Sequence, residues 1–289
     1  MTPVRVMVIG NSVALYVRPR VSGERAYPHR LAGLLGPDRP VDLEVCAENS
    51  LTAWDLLKVV EDRLPAFSPD LVIVNVGVVD CTPRILPQRL RRFFVRGRTR
   101  AERASLAAEA MIRRPVVRLL GGASALSLRD FESAIRRIVE IARAEAGARV
   151  VCLGLPPTSP RVVREVPGME DRLRRFDEAI RAVCQAVPGA LYLDTGALVA
   201  EAGGDRVLPD GIHFSAEGHA RVAAALVDLV EAAPDSPPPA STADREPPAH
   251  SSGLLVRLPG LLLALPLVAF AAAWIVLVRA ARALSGGRS

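Results

Sequence analysis

The chain has 289 residues, of which 50% are hydrophobic and 24% are charged, so it can bury one sizeable core and still carry an additional segment. A formal charge of +6 would ordinarily suggest a polyanionic partner, but Lys58 is the only lysine and every other basic residue is an arginine. We attribute the charge to an arginine-rich composition and expect no nucleic-acid partner. Cys46, Cys81, Cys152 and Cys184 lack C-x-x-C spacing, so neither a zinc site nor a disulfide framework is predicted.

Short apolar segments alternate with longer amphipathic ones along the first 233 residues. Five short segments are predicted strands: residues 4–9, 41–46, 71–76, 150–153 and 191–193. Four longer segments are predicted helices: residues 53–64, 130–147, 169–187 and 217–233. We expect Asp130 to cap the second of these helices and Gly147 to end it. Because most of the strands are almost continuously apolar, the alternation predicts an open, doubly wound α/β sheet of about five parallel strands.

Residues 82–129 interrupt this alternation after the third predicted strand. The segment holds many arginines, very few acids and two adjacent phenylalanines. Beside a membrane anchor, Arg91, Arg92 and Arg96 are candidates for contact with anionic lipid headgroups, or the segment forms a lid over the site. A solvated helical excursion explains the same composition, and both interpretations stay open.

The globular domain is predicted to end near residue 233. Residues 234–253 are rich in proline, serine and charge, which is typical of a semi-extended linker. Residues 258–278, from Leu258 to Val278, carry no charge and are about as long as a bilayer-spanning helix. We therefore predict that residues 254–289 form a single-pass transmembrane anchor and a short basic tail. A buried helix or a hydrophobic oligomerisation segment is the alternative.

The orientation of the predicted anchor depends on two opposing signals. The first residues, MTPVRVMVIG, enter a predicted strand at once and leave no room for a secretory signal. Arg279, Arg282 and Arg288 lie beyond the span, which by the positive-inside rule favours a cytoplasmic tail. We expect the globular domain in the cytoplasm, because translocating a whole N-terminal domain without an export signal is the harder step.

Gly10, Asn11 and Ser12 follow the first predicted strand and lead into a segment that resembles a helix. Ligands of open α/β sheets bind at the carboxyl ends of the strands, so a serine here has its side chain and its backbone N–H at the mouth of the sheet. A nucleophile needs this position, although a serine that merely caps a helix occupies the same place.

A serine nucleophile needs a base, and the chain has four histidines. His250 lies in the predicted linker and His29 in an early helical segment. His213 follows Asp210 by three residues in the sequence LPDGIHFSAEGHARVA, and His219 lies in the helical segment after it. A D-x-x-H turn can set the carboxylate against the imidazole and fix its tautomer, so Asp210 and His213 are the candidate orienting residue and base.

These segments resemble the motif blocks of the SGNH (GDSL-type) hydrolases. That family has Gly-Asp-Ser after the first strand, a glycine after the second, Gly-x-Asn-Asp after the third, and Asp-x-x-His near the end of a flavodoxin-like domain. The resemblance spans residues 4 to about 231. It implies a three-layer α/β/α fold with a five-stranded parallel sheet, and it implies no cofactor or metal. By the same resemblance Ser12 is the nucleophile, His213 the general base and Asp210 its orienting residue, with the Ser12 backbone N–H in the oxyanion hole.

Three positions depart from the family pattern. Asn11 replaces the aspartate of the first block. Ser50 occupies the glycine position of the second block, and it keeps the backbone N–H that the family uses as an oxyanion donor. Val79, within the sequence GVVD, stands where the family has its oxyanion asparagine. Loss of such a donor typically lowers the rate by about 10²–10³, and Asn49 and Asn11 are the candidates to replace it.

The sequence thus predicts a membrane-anchored serine esterase or acyl hydrolase that acts on an ester or O-acyl group of a lipid or glycan. A catalytically weak or inactive SGNH-like binding or scaffold module is the alternative that Val79 and Ser50 motivate. An O-acyltransferase, which keeps the triad but transfers the acyl group to an acceptor other than water, is the third.

Overall fold

Five strands form one parallel sheet in the structure, a computed structural model that describes residues 2–15, 22–37, 39–85, 113–119, 122 and 124–232. The strands are β1 (Val4–Gly10), β2 (Val41–Ala47), β3 (Leu71–Asn75), β4 (Arg149–Leu153) and β5 (Ala190–Leu193). Their order in the sheet is β2-β1-β3-β4-β5, and every neighbouring pair is parallel. The predicted parallel α/β sheet is confirmed, and each strand lies within one residue of its predicted ends.

Helices follow or separate the strands. They are α1 (Tyr27–Leu35), α2 (Ala53–Phe67), α3 (Val78–Cys81), α4 (Leu128–Glu145), α5 (Pro160–Glu165), α6 (Met169–Ala186), α7 (Thr195–Glu201) and α8 (Ala216–Ala232). The four predicted helices correspond to α2, α4, α6 and α8. The predicted cap of α4 is wrong, because the Ser127 side chain accepts a hydrogen bond from the backbone N–H of Asp130 at 3.1 Å. Asp130 lies in the first turn instead, where its carboxylate faces the positive end of the helix dipole.

The sheet separates two hydrophobic cores, since successive side chains of a strand point to opposite faces. Met7 and Ile9 of β1 lie in the core that β1 shares with α2, α4 and α6. Val6 and Val8 lie in the core formed with α1 and α8. All four side chains are fully buried. Burial of both faces explains why β1 is apolar at every position from Val6 to Ile9, and it gives the three-layer α/β/α arrangement.

The strand order reverses between β1 and β3. The chain first places β2 on one side of β1 and then adds β3, β4 and β5 on the other side. Gly10 is paired with Asn75, so the two strands end at the same level. A Cβ atom at Gly10 would lie 2.9 Å from the Ala14 Cβ and 3.1 Å from the Asn75 carbonyl oxygen. Glycine therefore lets the chain turn away from β1 at the point where ligands of this sheet topology bind.

The chain divides into two units, one formed by Met1–Arg84 with Ala123–Ala243 and the other by Ile85–Gly122 with Asp244–Ser289. The sheet and helices α1 to α8 belong to the first unit, and residues 113–119 of the second form a helix. Across the described ranges, no helix combines the length and the apolar character that a bilayer crossing requires. The predicted linker, the predicted span and the three arginines proposed to meet lipid lie outside the described residues.

Candidate active site

Ser12 begins a single 3-10 turn, Ser12–Ala14, directly beyond β1. Asn11 caps this turn, because its side-chain oxygen accepts a hydrogen bond from the backbone N–H of Val13 at 3.2 Å. The turn ends at Leu15, whose backbone is extended, so the α-helix that the sequence suggested directly after Ser12 is not formed there. Ser12 is consequently held by a tight capped turn and is partly exposed at the edge of the sheet.

The Asp210 carboxylate organises the turn that carries His213. One of its oxygens accepts hydrogen bonds from the backbone N–H groups of Ile212 at 2.9 Å and His213 at 2.8 Å. The other lies 2.8 Å from His213 Nδ1. Burial alone would raise the pKa of Asp210, but the hydrogen bonds from the side chain and backbone of His213 and from the backbone of Ile212 outweigh it and lower the pKa to about 2.

His213 joins Asp210 to Ser12 across 201 residues of sequence. Because an ionised carboxylate can only accept hydrogen bonds, Nδ1 of His213 carries the proton that Asp210 accepts. In the neutral imidazole Nε2 is then unprotonated, and it lies 3.0 Å from Ser12 Oγ, where it can accept the hydroxyl proton. The structure thus brings all three predicted site residues into one hydrogen-bonded series. This is the geometry in which a serine hydroxyl is activated by a neighbouring base.

A second segment, which sequence reasoning did not identify, supports this turn from the loop after β4. Thr158 donates a hydrogen bond to the Gly211 carbonyl at 2.6 Å, and Arg161 donates one to the Asp210 carbonyl at 3.2 Å. Gly211 has φ +79°, a conformation that favours glycine, and packs closely against Ser159. The sequence alone does not show which atoms of this segment reach the Asp210 turn.

Ser50 and Val79, two positions of the predicted oxyanion hole, differ in whether they retain the hydrogen-bond donor that the family pattern has there. Ser50 has φ +66°, so the chain adopts at this position the left-handed conformation for which glycine is the usual choice. This agrees with its alignment to the glycine of the second block, and its backbone N–H is retained. Val79 is buried in α3, with 7% of its surface exposed, and it has no polar side-chain atom.

Neither asparagine proposed as a replacement donor is shown in that role. Asn49 is exposed in the turn before Ser50. The side-chain oxygen of Asn11 caps the turn at Val13, and its nitrogen is buried with no hydrogen-bond partner among the described residues. An atom without solvent access cannot donate to a substrate oxyanion unless the turn rearranges. The backbone N–H groups of Ser12 and Ser50 remain the predicted oxyanion donors.

His219, the other histidine near this motif, is fully buried in α8. Its Nδ1 accepts a hydrogen bond from the backbone N–H of Tyr27 at 3.1 Å, and its ring stacks on the Tyr27 ring. Burial, with smaller contributions from the charges of Arg30 and His213, lowers the pKa of His219 to about 4. The imidazole is neutral at neutral pH and joins α8 to α1, which makes it a packing residue and not a second base.

Comparisons with known proteins identify the family and the fold of this chain. The sequence profile described as the GDSL-like Lipase/Acylhydrolase family matches residues 8–221. The lipase/acylhydrolase from Enterococcus faecalis has a similar structure, with a TM-score of 0.53 and 18% identity over 79% of this chain and 95% of that one. So does Axe2, an acetylxylan esterase from Geobacillus stearothermophilus, with a TM-score of 0.53 and 16% identity over 78% of this chain and 93% of that one.

The esterase EstA from Pseudoalteromonas sp. has a TM-score of 0.50 and 11% identity over 78% of this chain and 96% of its own. At such identities these likenesses establish the fold alone. No curated protein sequence matches this chain.

Replacing Gly211 by alanine should destabilise the protein by roughly 1–3 kcal/mol, since φ there is +79° and the new Cβ would lie 2.5 Å from Ser159 Oγ. The matched control is Gly33→Ala in α1, where no heavy atom lies within 4 Å of the added Cβ. This change should stabilise the protein by about 0.5–1 kcal/mol through helix propensity. Urea unfolding of both variants measures the difference, and equal effects at the two positions would contradict the strain at Gly211.

Replacing Asp210 by asparagine should remove a pH-dependent contribution to stability. A carboxyl whose folded-state pKa is about 2, below its ordinary 3.8, stabilises the folded protein above about pH 4 and loses this contribution as the pH falls towards 2. The wild type should therefore lose its advantage over Asp210→Asn between pH 5 and 2, as denaturant unfolding would measure. A difference between the two proteins that stays constant over this range would show that the carboxylate is not held in its charged form.

Proposed function

Because this chain belongs to the GDSL-like lipase/acylhydrolase family, we propose that it hydrolyses carboxylic esters with Ser12 as the nucleophile. The observation that carries the proposal is the hydrogen-bonded series from Ser12 through His213 to Asp210. Ser12 and Asp210 come from opposite ends of the domain, and only the fold places them on either side of one imidazole.

The proposed reaction has two steps that use the same imidazole. In the first, Ser12 Oγ bonds to the ester carbonyl carbon while His213 Nε2 takes the hydroxyl proton; the ester C–O bond then breaks, and the leaving alcohol receives that proton. In the second, water loses a proton to His213 Nε2 and attacks the acyl-serine, releasing the carboxylic acid and restoring Ser12. Asp210 stays ionised throughout, since its pKa of about 2 lies far below neutral pH, and it stabilises the imidazolium.

The tetrahedral oxyanion is stabilised in this proposal by two backbone donors, the N–H groups of Ser12 and Ser50. A side-chain donor of the kind that Val79 lacks is typically worth about 10²–10³ in rate, whereas the nucleophile and base together contribute more. We therefore expect an enzyme that is slower than a relative with a complete motif, and not an inactive one.

The proposed substrates are small esters and O-acyl groups of lipids or glycans. The fold likeness to Axe2 does not narrow this class, because identity to that protein is 16%. We also propose that residues 258–278 anchor the protein to a membrane, supported by 21 consecutive residues without charge. The globular domain faces the cytoplasm in this proposal, in keeping with four cysteines that are unpaired thiols.

A catalytically weak or inactive binding module is the second candidate. It is favoured by one observation, the buried valine at position 79. The two candidates differ in whether Ser12 reacts, which a covalent probe reports directly.

Ser12→Ala in the full-length protein should abolish labelling by a fluorophosphonate probe and turnover of p-nitrophenyl acetate, because no other described residue takes the place of its hydroxyl. Ser22→Ala is the control, since Ser22 is an exposed serine whose side chain caps no helix. That variant should label and turn over like the wild type. Wild-type protein that shows no Ser12-dependent labelling or turnover would favour the binding module.

Val79→Asn should raise kcat for p-nitrophenyl acetate by up to about 10², with KM little changed, because the added amide donates to the oxyanion only as the transition state forms. The thermal unfolding temperature should be measured alongside, since burying an amide lowers stability. An unchanged kcat in a folded variant would show that another group already supplies the third donor.

A further inference from the structure

Asp80, the residue after Val79, makes an interaction that the proposed mechanism does not use. Its side chain lies in α3 and is fully buried. One carboxyl oxygen accepts a hydrogen bond from the backbone N–H of Ala53 at 2.9 Å. The other is also buried and has no hydrogen-bond partner among the described residues. Burial of a carboxyl group with one oxygen unpaired is unfavourable, so the contact with Ala53 is kept at a cost to stability.

Ala53 connects this carboxyl group to the oxyanion hole. It is the first residue of α2 and lies three residues after Ser50. Thr52, which lies between them, forms a capping box with Asp55, and its backbone N–H donates to the Asp55 carboxylate at 2.8 Å. The first turn of α2, whose cap follows Ser50 by two residues, is thus fixed internally, and Asp80 fixes it to α3.

Asp80 also forms a hydrogen bond with the segment at which the first unit resumes. Its carbonyl oxygen accepts a hydrogen bond from the backbone N–H of Ala125 at 3.0 Å, just before Ser127 caps α4. One residue therefore joins the segment after β2, the turn after β3 and the segment before α4. Ser50 lies in the first of these segments. It has a left-handed backbone conformation and is proposed to donate to the oxyanion.

We infer that Asp80 is a positioning residue that holds the backbone N–H of Ser50 in the oxyanion hole by anchoring the first turn of α2 to α3. The inference rests on the proposed esterase function. With no side-chain donor at position 79, the rate depends on the placement of the two backbone donors, and a displacement of about 1 Å can lower a rate by up to about 10².

A purely structural role is the competing explanation, because a carboxylate at a helix N-terminus stabilises the helix dipole. Burial raises the pKa of Asp80 to about 7 against the hydrogen bond from the Ala53 backbone, and the charge of Asp55 adds to the rise. A group that is only partly ionised near neutral pH contributes less to a helix dipole than a full charge does. This favours a positioning role over simple dipole stabilisation.

The test compares Asp80→Ala with Asp80→Asn in the full-length protein. Alanine removes the acceptor for the Ala53 N–H, whereas asparagine retains an oxygen in its place. Asp80→Ala should lower kcat for p-nitrophenyl acetate by between about 10-fold and 10²-fold with little change in KM, and Asp80→Asn should restore most of it. Cys81→Ala is the matched control, since it truncates a fully buried side chain in the same helix and leaves the Asp80 acceptor of the Ala53 N–H in place.

Amide hydrogen exchange supplies a readout that does not need activity. In Asp80→Ala the amide of Ala53 should exchange about tenfold faster, the factor expected for the loss of its hydrogen bond to Asp80, while in Cys81→Ala it should not. If exchange at this amide is unchanged, or if Asp80→Ala matches Cys81→Ala in kcat, the inference is wrong. Absence of Ser12-dependent turnover in the wild type would instead remove the esterase proposal, and the exchange result would then report only whether Asp80 anchors the first turn of α2.

Discussion

The pairing of Gly10 with Asn75 is the constraint on which the site depends. It ends β1 and β3 at the same level, at the point where the strand order reverses. The turns after the two strands then share one edge of the sheet, which brings the Ser12 turn beside α3. A side chain at Gly10 would meet Asn75 and Ala14. The position of the proposed nucleophile is therefore a consequence of close backbone packing between two neighbouring strands, before any interaction with His213 forms.

Much of this arrangement could be predicted from the sequence, because the determining signals are short-range. The strands β1, β3 and β4 are mostly apolar, so their positions and their burial on both faces follow largely from composition. Asp210 and His213 are three residues apart, and a carboxylate that accepts from the backbone N–H two and three residues ahead also reaches the imidazole. The pairing with Ser12 came from motif resemblance, since no local pattern connects residues 201 positions apart.

The contacts that could not be predicted join segments with no shared periodicity. Thr158 reaches Gly211 over 53 residues, and Asp80 reaches Ala53 over 27. In both, one partner is a backbone group, which carries no residue-specific signal in the sequence. The predicted cap of α4 is wrong for a related reason. Ser127 and Asp130 are both good capping residues, and the choice between them depends on where the chain approaches the helix.

The carboxyl groups of Asp210 and Asp80 differ in charge state, because their hydrogen bonds offset burial to different extents. Burial acts against the charge of both. At Asp210 three hydrogen bonds reverse its effect, and a pKa of about 2 gives a permanent charge beside an imidazole that becomes cationic in each proposed step. At Asp80 burial prevails and the pKa rises to about 7, so the group is suited to accepting one backbone N–H and not to stabilising charge. Because Val79 offers no donor, the proposed rate depends on backbone geometry at Ser50, and a buried, partly ionised acceptor such as Asp80 can fix the neighbouring turn.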